Sequence, residues 1–231
     1  MKLRVRFSKF GPVKFIGHLD IMRSVQKAIK AAGVSVKYTE GFSPHQILSF
    51  AHPLGVGVES ESEYFDMEVT TLEGSETFRN RLNAEMCEGM SILGVYLLPD
   101  DSKNAMASVK FASYRVELHR EDASALVRDA VEAFRAADSV LSYKETKTGV
   151  QERNLKEAVR EIDYILPKAA ITFTVDASSG GNLKPGTLMD ALYKPFDITF
   201  NPWDYQIIRT EVYKEDAQAN PLPLIEGLEE L

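Results

Sequence analysis

The chain has 231 residues, 44% of them hydrophobic, with a net charge of -7. That length buries one substantial core or two of about 100 residues each, and two small domains are expected. No run reaches the roughly 18 apolar residues of a membrane span, the basic start MKLRVRFSKF alternates with polar residues instead of opening an apolar signal core, and the single cysteine, Cys87, excludes an intrachain disulfide or a cysteine cluster for zinc or iron-sulfur.

These features predict a cytoplasmic, soluble protein without a resident cofactor or metal, and one that is not an iron-sulfur radical enzyme by itself. In chain order, LRVRFSK has period two and predicts a strand with Leu3, Val5 and Phe7 toward a core and Arg4 and Arg6 on the other face. After Gly11-Pro12, Leu19, Met22, Val25, Ile29 and Ala32 recur at helical spacing, and Gly33 ends the pattern as a C-cap would. VSVKY predicts a short strand, ILSFAHPLGVG an extended stretch after the turn-rich GFSPH, and EYFDMEVTT a further alternation. TFRNRLNAEM reads as a short helix capped by Ser75, and MSILGVYLLP as a closing strand.

The resulting order, strand-helix-strand-strand-helix-strand, is that of the split βαβ, ferredoxin-like arrangement. PDDSKNA is a polar linker, after which the order restarts. SYRVELH predicts a strand, EDASALVRDAVEAFRAAD a helix, and SVLSYKE a strand; KTGVQERNLKEAVREI is charged and ends in a short helix. AAITFTVDA, LKPGTLMDALY and DYQIIRTEVY follow as strand, helix and strand, and the acidic, proline-interrupted tail EDAQANPLPLIEGLEEL is expected to dock loosely. The expected fold class is α+β, with two tandem ferredoxin-like domains of antiparallel sheet, residues 1–103 and 104–231.

Charge is divided unevenly, with residues 1–50 carrying a net +7 and the remainder -14. Arg4, Arg6, Lys9, Lys14, Arg23 and Lys27 therefore form a candidate anion-binding face, and Phe42 and other aromatics interleave with it as base stacking on RNA requires. Three of the four histidines fall within 35 residues, and GHLDIMR sets His18, Asp20 and Arg23 at a helix start. With loops folded over that end, His18, Asp20 and His45 would form an acid-base or metal site; Asp20 equally suits the first helical turn, and the histidines loop carbonyls. SSGGNLKPGTL leads a glycine-rich loop into a helix start, where Lys184 adds a charge for a phosphate and Arg209 comes from a neighbouring strand; a plain hairpin turn reads the same way.

The N-terminal residues carry a resemblance. Phe7, Lys9 and Gly11, then His18, Leu19, Asp20 and Arg23, then Gly41, Phe42, Pro44 and His45, and finally Pro53, Leu54, Gly55, Glu63 and Tyr64 follow a pattern similar to the radical-SAM-linked protein family of bacteria. Lys184-Pro185 and Ile208-Arg209 extend the likeness; Gly17 stands where that family usually has serine, and Ser43 where it usually has asparagine. The resemblance implies a radical S-adenosylmethionine protein as partner, with this chain as a substrate-binding accessory. The tandem order also looks like that of RNA-processing proteins built from two such domains, which ranks RNA first among substrates. Two other readings stand beside an RNA-binding or RNA-modification accessory: an enzyme using His18 and His45 on a phosphorylated or nucleotide-like substrate, and a module that only docks the partner protein.

Overall fold

The computed structural model describes residues 1–71, 74–119, 123–146, 149–199 and 201–231. In chain order the elements are β1 (Lys2–Lys9), α1 (His18–Ala31), β2 (Leu48–Phe50), β3 (Val58–Glu68), α2 (Ser75–Glu85), β4 (Met90–Leu98), α3 (Ala105–Ser108), β5 (Phe111–Leu118), α4 (Ala123–Ala136), β6 (Leu141–Thr146), β7 (Gly149–Asn154), α5 (Leu155–Ala158), β8 (Val159–Ile165), β9 (Ala170–Asp176), α6 (Pro185–Tyr193), β10 (Tyr205–Glu215), β11 (Pro221–Pro223) and β12 (Glu229–Glu230). They form a mixed α+β protein divided into two compact units: residues 1–110 with 211–231, and residues 111–210.

In the first unit the strands lie in the order β12-β4-β1-β3, with β2 also on β3, and β1 pairs antiparallel with both of its neighbours. The alternation of β1 puts Leu3, Val5 and Phe7 into the core, where the rings of Phe7, Phe50 and Phe65 stack at 5.3–6.2 Å. Helix α1 turns Ile21, Val25, Ala28 and Ile29 onto this layer, each large side chain contributing about 1.5–3 kcal/mol by leaving water. Its last turn closes through Gly33, whose φ of +64° lets the Val34 N–H reach back to the Ile29 carbonyl. That turn consumes the start of VSVKY. The expected strand is reduced to single bridges, Val36 to Val69 and Tyr38 to Gln46.

The opposite face of β1 is covered as well, so Arg4 is 3% exposed instead of solvated. Its guanidinium grips Asp66 through two hydrogen bonds of 2.8 and 3.0 Å and donates to the carbonyls of Leu224 and Lys103. The tail that supplies Leu224 is docked, not loose: β11 pairs with β10, β12 with β4, and the Leu224 side chain is fully buried. Helix α2 starts with Gly74 as its N-cap; the Ser75 side chain lies outside the described residues.

The second unit has strand order β10-β5-β9-β8, to which β10 contributes its residues up to Thr210. Ala112, Tyr114, Val116 and Leu118 of β5 alternate inward, and α4 buries Val127, Ala130, Val131 and Phe134. SVLSYKE does become β6, but its partner is β7, in an added hairpin with Leu141 opposite Asn154. The sheet strand beside β9 is β8, VREIDYI, whose charged residues hid it among the surrounding helix-like sequence.

Candidate functional site

Chain segments distant in sequence converge beyond the end of β1. There the backbone turns at Gly11, φ +69°, into a 3-10 turn spanning Gly11–Phe15. Glu59 of β3 accepts a hydrogen bond from the Gly11 N–H (3.0 Å) and one from the Lys14 ammonium (3.4 Å). The Gly57 N–H reaches the Lys14 carbonyl at 2.8 Å, and the Phe10 N–H reaches that of Gly89 at 2.7 Å. This bracing holds the turn beside the start of α1, where His18 is the first helical residue.

A small pocket of about 10 Å³, room for a single water-sized group, opens there, lined by Lys9, His18, His52 and Glu63 against Phe7 and Phe50. Lys9 is 2% exposed and donates to the Ile16 carbonyl; the His18 ring meets the Phe50 ring edge-on at 5.6 Å. An ammonium, two imidazoles and a carboxylate on an aromatic floor supply donors, acceptors and general acid-base groups for a small polar group. The segments that build the pocket also present Phe15, Ile16, Leu19 and Val56 as exposed apolar side chains. No group of three or more His, Cys, Asp or Glu side chains among the described residues is arranged to hold a metal.

The predicted residues separate into several environments. Asp20 is exposed and pairs with Arg23 at 3.0 Å, and His45 sits in its own loop with Nδ1 at 3.1 Å from the Thr39 hydroxyl. Neither lines the pocket of His18; the histidine that does is His52. Phe42 is fully exposed on the GFSPH loop. Acids from later in the chain answer three of the six cations of the expected face: Arg4 holds Asp66, Arg6 reaches Glu211 at 3.3 Å, and Lys14 reaches Glu59. Lys27 is exposed on α1. Glu211 further binds the Tyr64 hydroxyl and Ser62, each at 2.7 Å; burial first, and the Glu211 charge second, push the Tyr64 phenol well above its usual range.

In the second unit Arg209 is fully buried, and Lys184 is exposed as the N-cap residue of α6. The glycine-rich loop before that helix folds on Asp176, whose side chain accepts from the Ser178 N–H at 2.8 Å and whose backbone carbonyl accepts from Leu183. Arg153 donates to the Gly181 carbonyl and lies 3.8 Å from the Asp176 carboxylate. An acid thus occupies this loop, which favours the plain-turn reading over a phosphate cradle.

Elsewhere in this unit a cleft of about 680 Å³ lies over β5, β9 and β8, with Ser113, Arg115, Thr172, Thr174 and Arg160 in its lining. Arg160 stacks its guanidinium 4.6 Å above the Phe111 ring, while Arg115 pairs with Glu117 at 2.7 Å.

His52 and Glu63 are the pocket residues that chemical reasoning from sequence passed over. Their signals were present: His52 as the third histidine of a close set, and Glu63 within the motif that carries the family resemblance.

These features define an α+β protein whose first unit holds a pocket lined by ionisable groups. The chain belongs to the family described as an uncharacterized protein conserved in bacteria (DUF2344), whose model matches residues 2–185. No curated protein matches it. Among solved structures it is similar to a chain in the crystal structure of a Cbf5-Nop10-Gar1 complex, at 11% identity and a TM-score of 0.46, covering 93% of this chain and 50% of that one. The chain therefore spans about half the length of that relative. Among the described residues no helix is long and apolar enough to cross a membrane.

Proposed function

We propose that the first unit is a substrate-binding and acid-base module that works with a radical S-adenosylmethionine protein, the pocket of Lys9, His18, His52 and Glu63 receiving a polar group of the substrate. The observation that carries this reading is the convergence of four ionisable side chains from β1, α1, the loop after β2, and β3 on one aromatic-floored pocket. A general acid or base placed this way is worth about 10²–10⁴ in rate. The exposed Phe15, Ile16, Leu19 and Val56 give the partner an apolar contact beside the pocket. The partnership itself rests on the motif resemblance. The strand orders β4-β1-β3-β2 and β10-β5-β9-β8, each with a helix after its first and third strands, support reading both units as ferredoxin-like, the second inserted into the first.

The test is turnover by the reconstituted pair. His18→Ala and His52→Ala are expected to lower it about 100-fold or more while copurification and melting temperature hold, with His45→Ala close to wild type. Loss on His45→Ala alone, with the other two active, would return the site to the GFSPH loop and sink this assignment.

RNA as the substrate has its own support in the second unit, where Arg115, Arg135, Arg160 and the hydroxyls of Ser113, Thr172 and Thr174 line an open sheet cleft with Glu161 and Asp163, and Arg160 stacks on the Phe111 ring. Sheet surfaces with a stacking platform and cations bind single-stranded RNA in this manner. Binding of a short single-stranded RNA should then weaken with salt and drop at least tenfold in Arg160→Glu. Unchanged affinity in that variant would remove the sheet cleft as the RNA site.

A further inference from the structure

A second cavity in the first unit shares no described lining residue with the histidine pocket. It measures about 270 Å³, and four cations, Arg4, Lys103, Lys110 and Lys214, line it with a single carboxylate, Glu215. The linker between β4 and β5 supplies Lys103 and Lys110, and the returning end of β10 supplies Lys214.

The charges there do not cancel. Arg4 is answered by Asp66, and Lys110 by Glu215 at 3.0 Å. Among the described residues Lys214 has only the Glu226 carbonyl as its hydrogen-bond acceptor, at 2.8 Å, with the Glu226 carboxylate acting on it through space. Burial, and after it the charge of Arg4, hold its ammonium below the usual lysine range, as expected of a cation lacking a close counter-charge. Lys103 extends from the exposed linker, and Ser102 and Ser108 add hydroxyls to the lining. The floor is rigid, because Arg4 is fixed by four hydrogen bonds to Asp66, Leu224 and Lys103.

We propose that this cavity is a phosphate site, taking the phosphoryl group of a small ligand between Lys103 and Lys214, with the Ser102 hydroxyl as a donor. Lysine serves phosphate as a compact point charge, and a multiply charged oxyanion relieves the repulsion between Lys214 and Arg4. The volume lies just below the range of about 300–1,000 Å³ for drug-sized ligands and suits a phosphate or pyrophosphate group. The proposal stands independently of the histidine pocket.

The experiment titrates inorganic phosphate, pyrophosphate and citrate into the isotope-labelled full chain, followed by NMR at constant ionic strength. Saturable pyrophosphate binding is expected, with the amides of residues 102–110 shifting, and Lys103→Ala and Lys214→Met each weakening it at least tenfold. Lys103 is exposed, so its variant tests the site even where Lys214→Met disturbs the tail. His18→Ala should bind as wild type does, which separates this site from the proposed function. Affinity should fall as pH rises toward the lowered range of Lys214, whose charged neighbours are Arg4, Lys103, Lys110, Glu215 and Glu226. The absence of saturable binding, equal binding of citrate, or full binding in both lysine variants would overturn the phosphate assignment.

Discussion

Tyr64 shows how a single buried phenol ties pH to stability. Its hydroxyl donates to Glu211, and burial together with that carboxylate raises its pKa. Below about pH 10, the ordinary phenol range, folded and unfolded chains both keep the proton and the contribution is full. Above it the unfolded chain releases the proton while the folded chain retains it, so stability falls as pH climbs. Tyr64→Phe should lose about 1 kcal/mol at pH 8 and show a flatter decline above pH 10. Urea midpoints measured from pH 8 to 11 decide this, and parallel curves for the two proteins would refute it. The same buried surroundings explain a limit of sequence reading: Arg4 and Arg6 look like an exposed basic face in LRVRFSK, yet Asp66 and Glu211, which pair with them, are 62 and 205 residues away.

At the scale of elements, periodicity was a good guide wherever one face meets the core. The alternation of β1 and the helical spacing of α1 were legible, because burial of Leu3, Val5, Phe7, Val25 and Ile29 imposes those periods directly. β8 and the docking of β11 and β12 were not, because their sequences are charged or proline-bearing and only long-range pairing makes them strands. The pocket was half legible: His18 and Lys9 could be picked out, but choosing His52 over His45 depends on how the loop after β2 returns. The turn that frames the pocket leans on Gly89, which has a φ of +88° and would bring any Cβ against the Phe10 carbonyl. Gly89→Ala should therefore cost about 1–3 kcal/mol of strain and loosen the segment carrying Lys9 to Ile16. Thermal denaturation with hydrogen exchange at the Phe10 amide measures both effects, and a variant as stable and as protected as wild type would contradict them.

On the scale of the molecule, the first unit is assembled from both ends of the chain, whereas residues 111–210 are contiguous. Deleting residues 211–231 strips Tyr64 and Arg6 of Glu211, Arg4 of the Leu224 carbonyl, and β4 of its pairing with β12. The truncated chain should lose cooperative unfolding of the first unit, while an isolated 111–210 fragment keeps its own transition in circular dichroism. A truncated chain that still melts in two full transitions would show the tail to be dispensable.

The buried guanidinium of Arg4 has a consequence for synthesis. The carbonyl of Leu224 that completes its hydrogen bonds is synthesised 220 residues after Arg4 itself. The guanidinium must wait for that carbonyl, so a translation product terminated before Leu224 would carry the motif with one acceptor of its buried arginine missing.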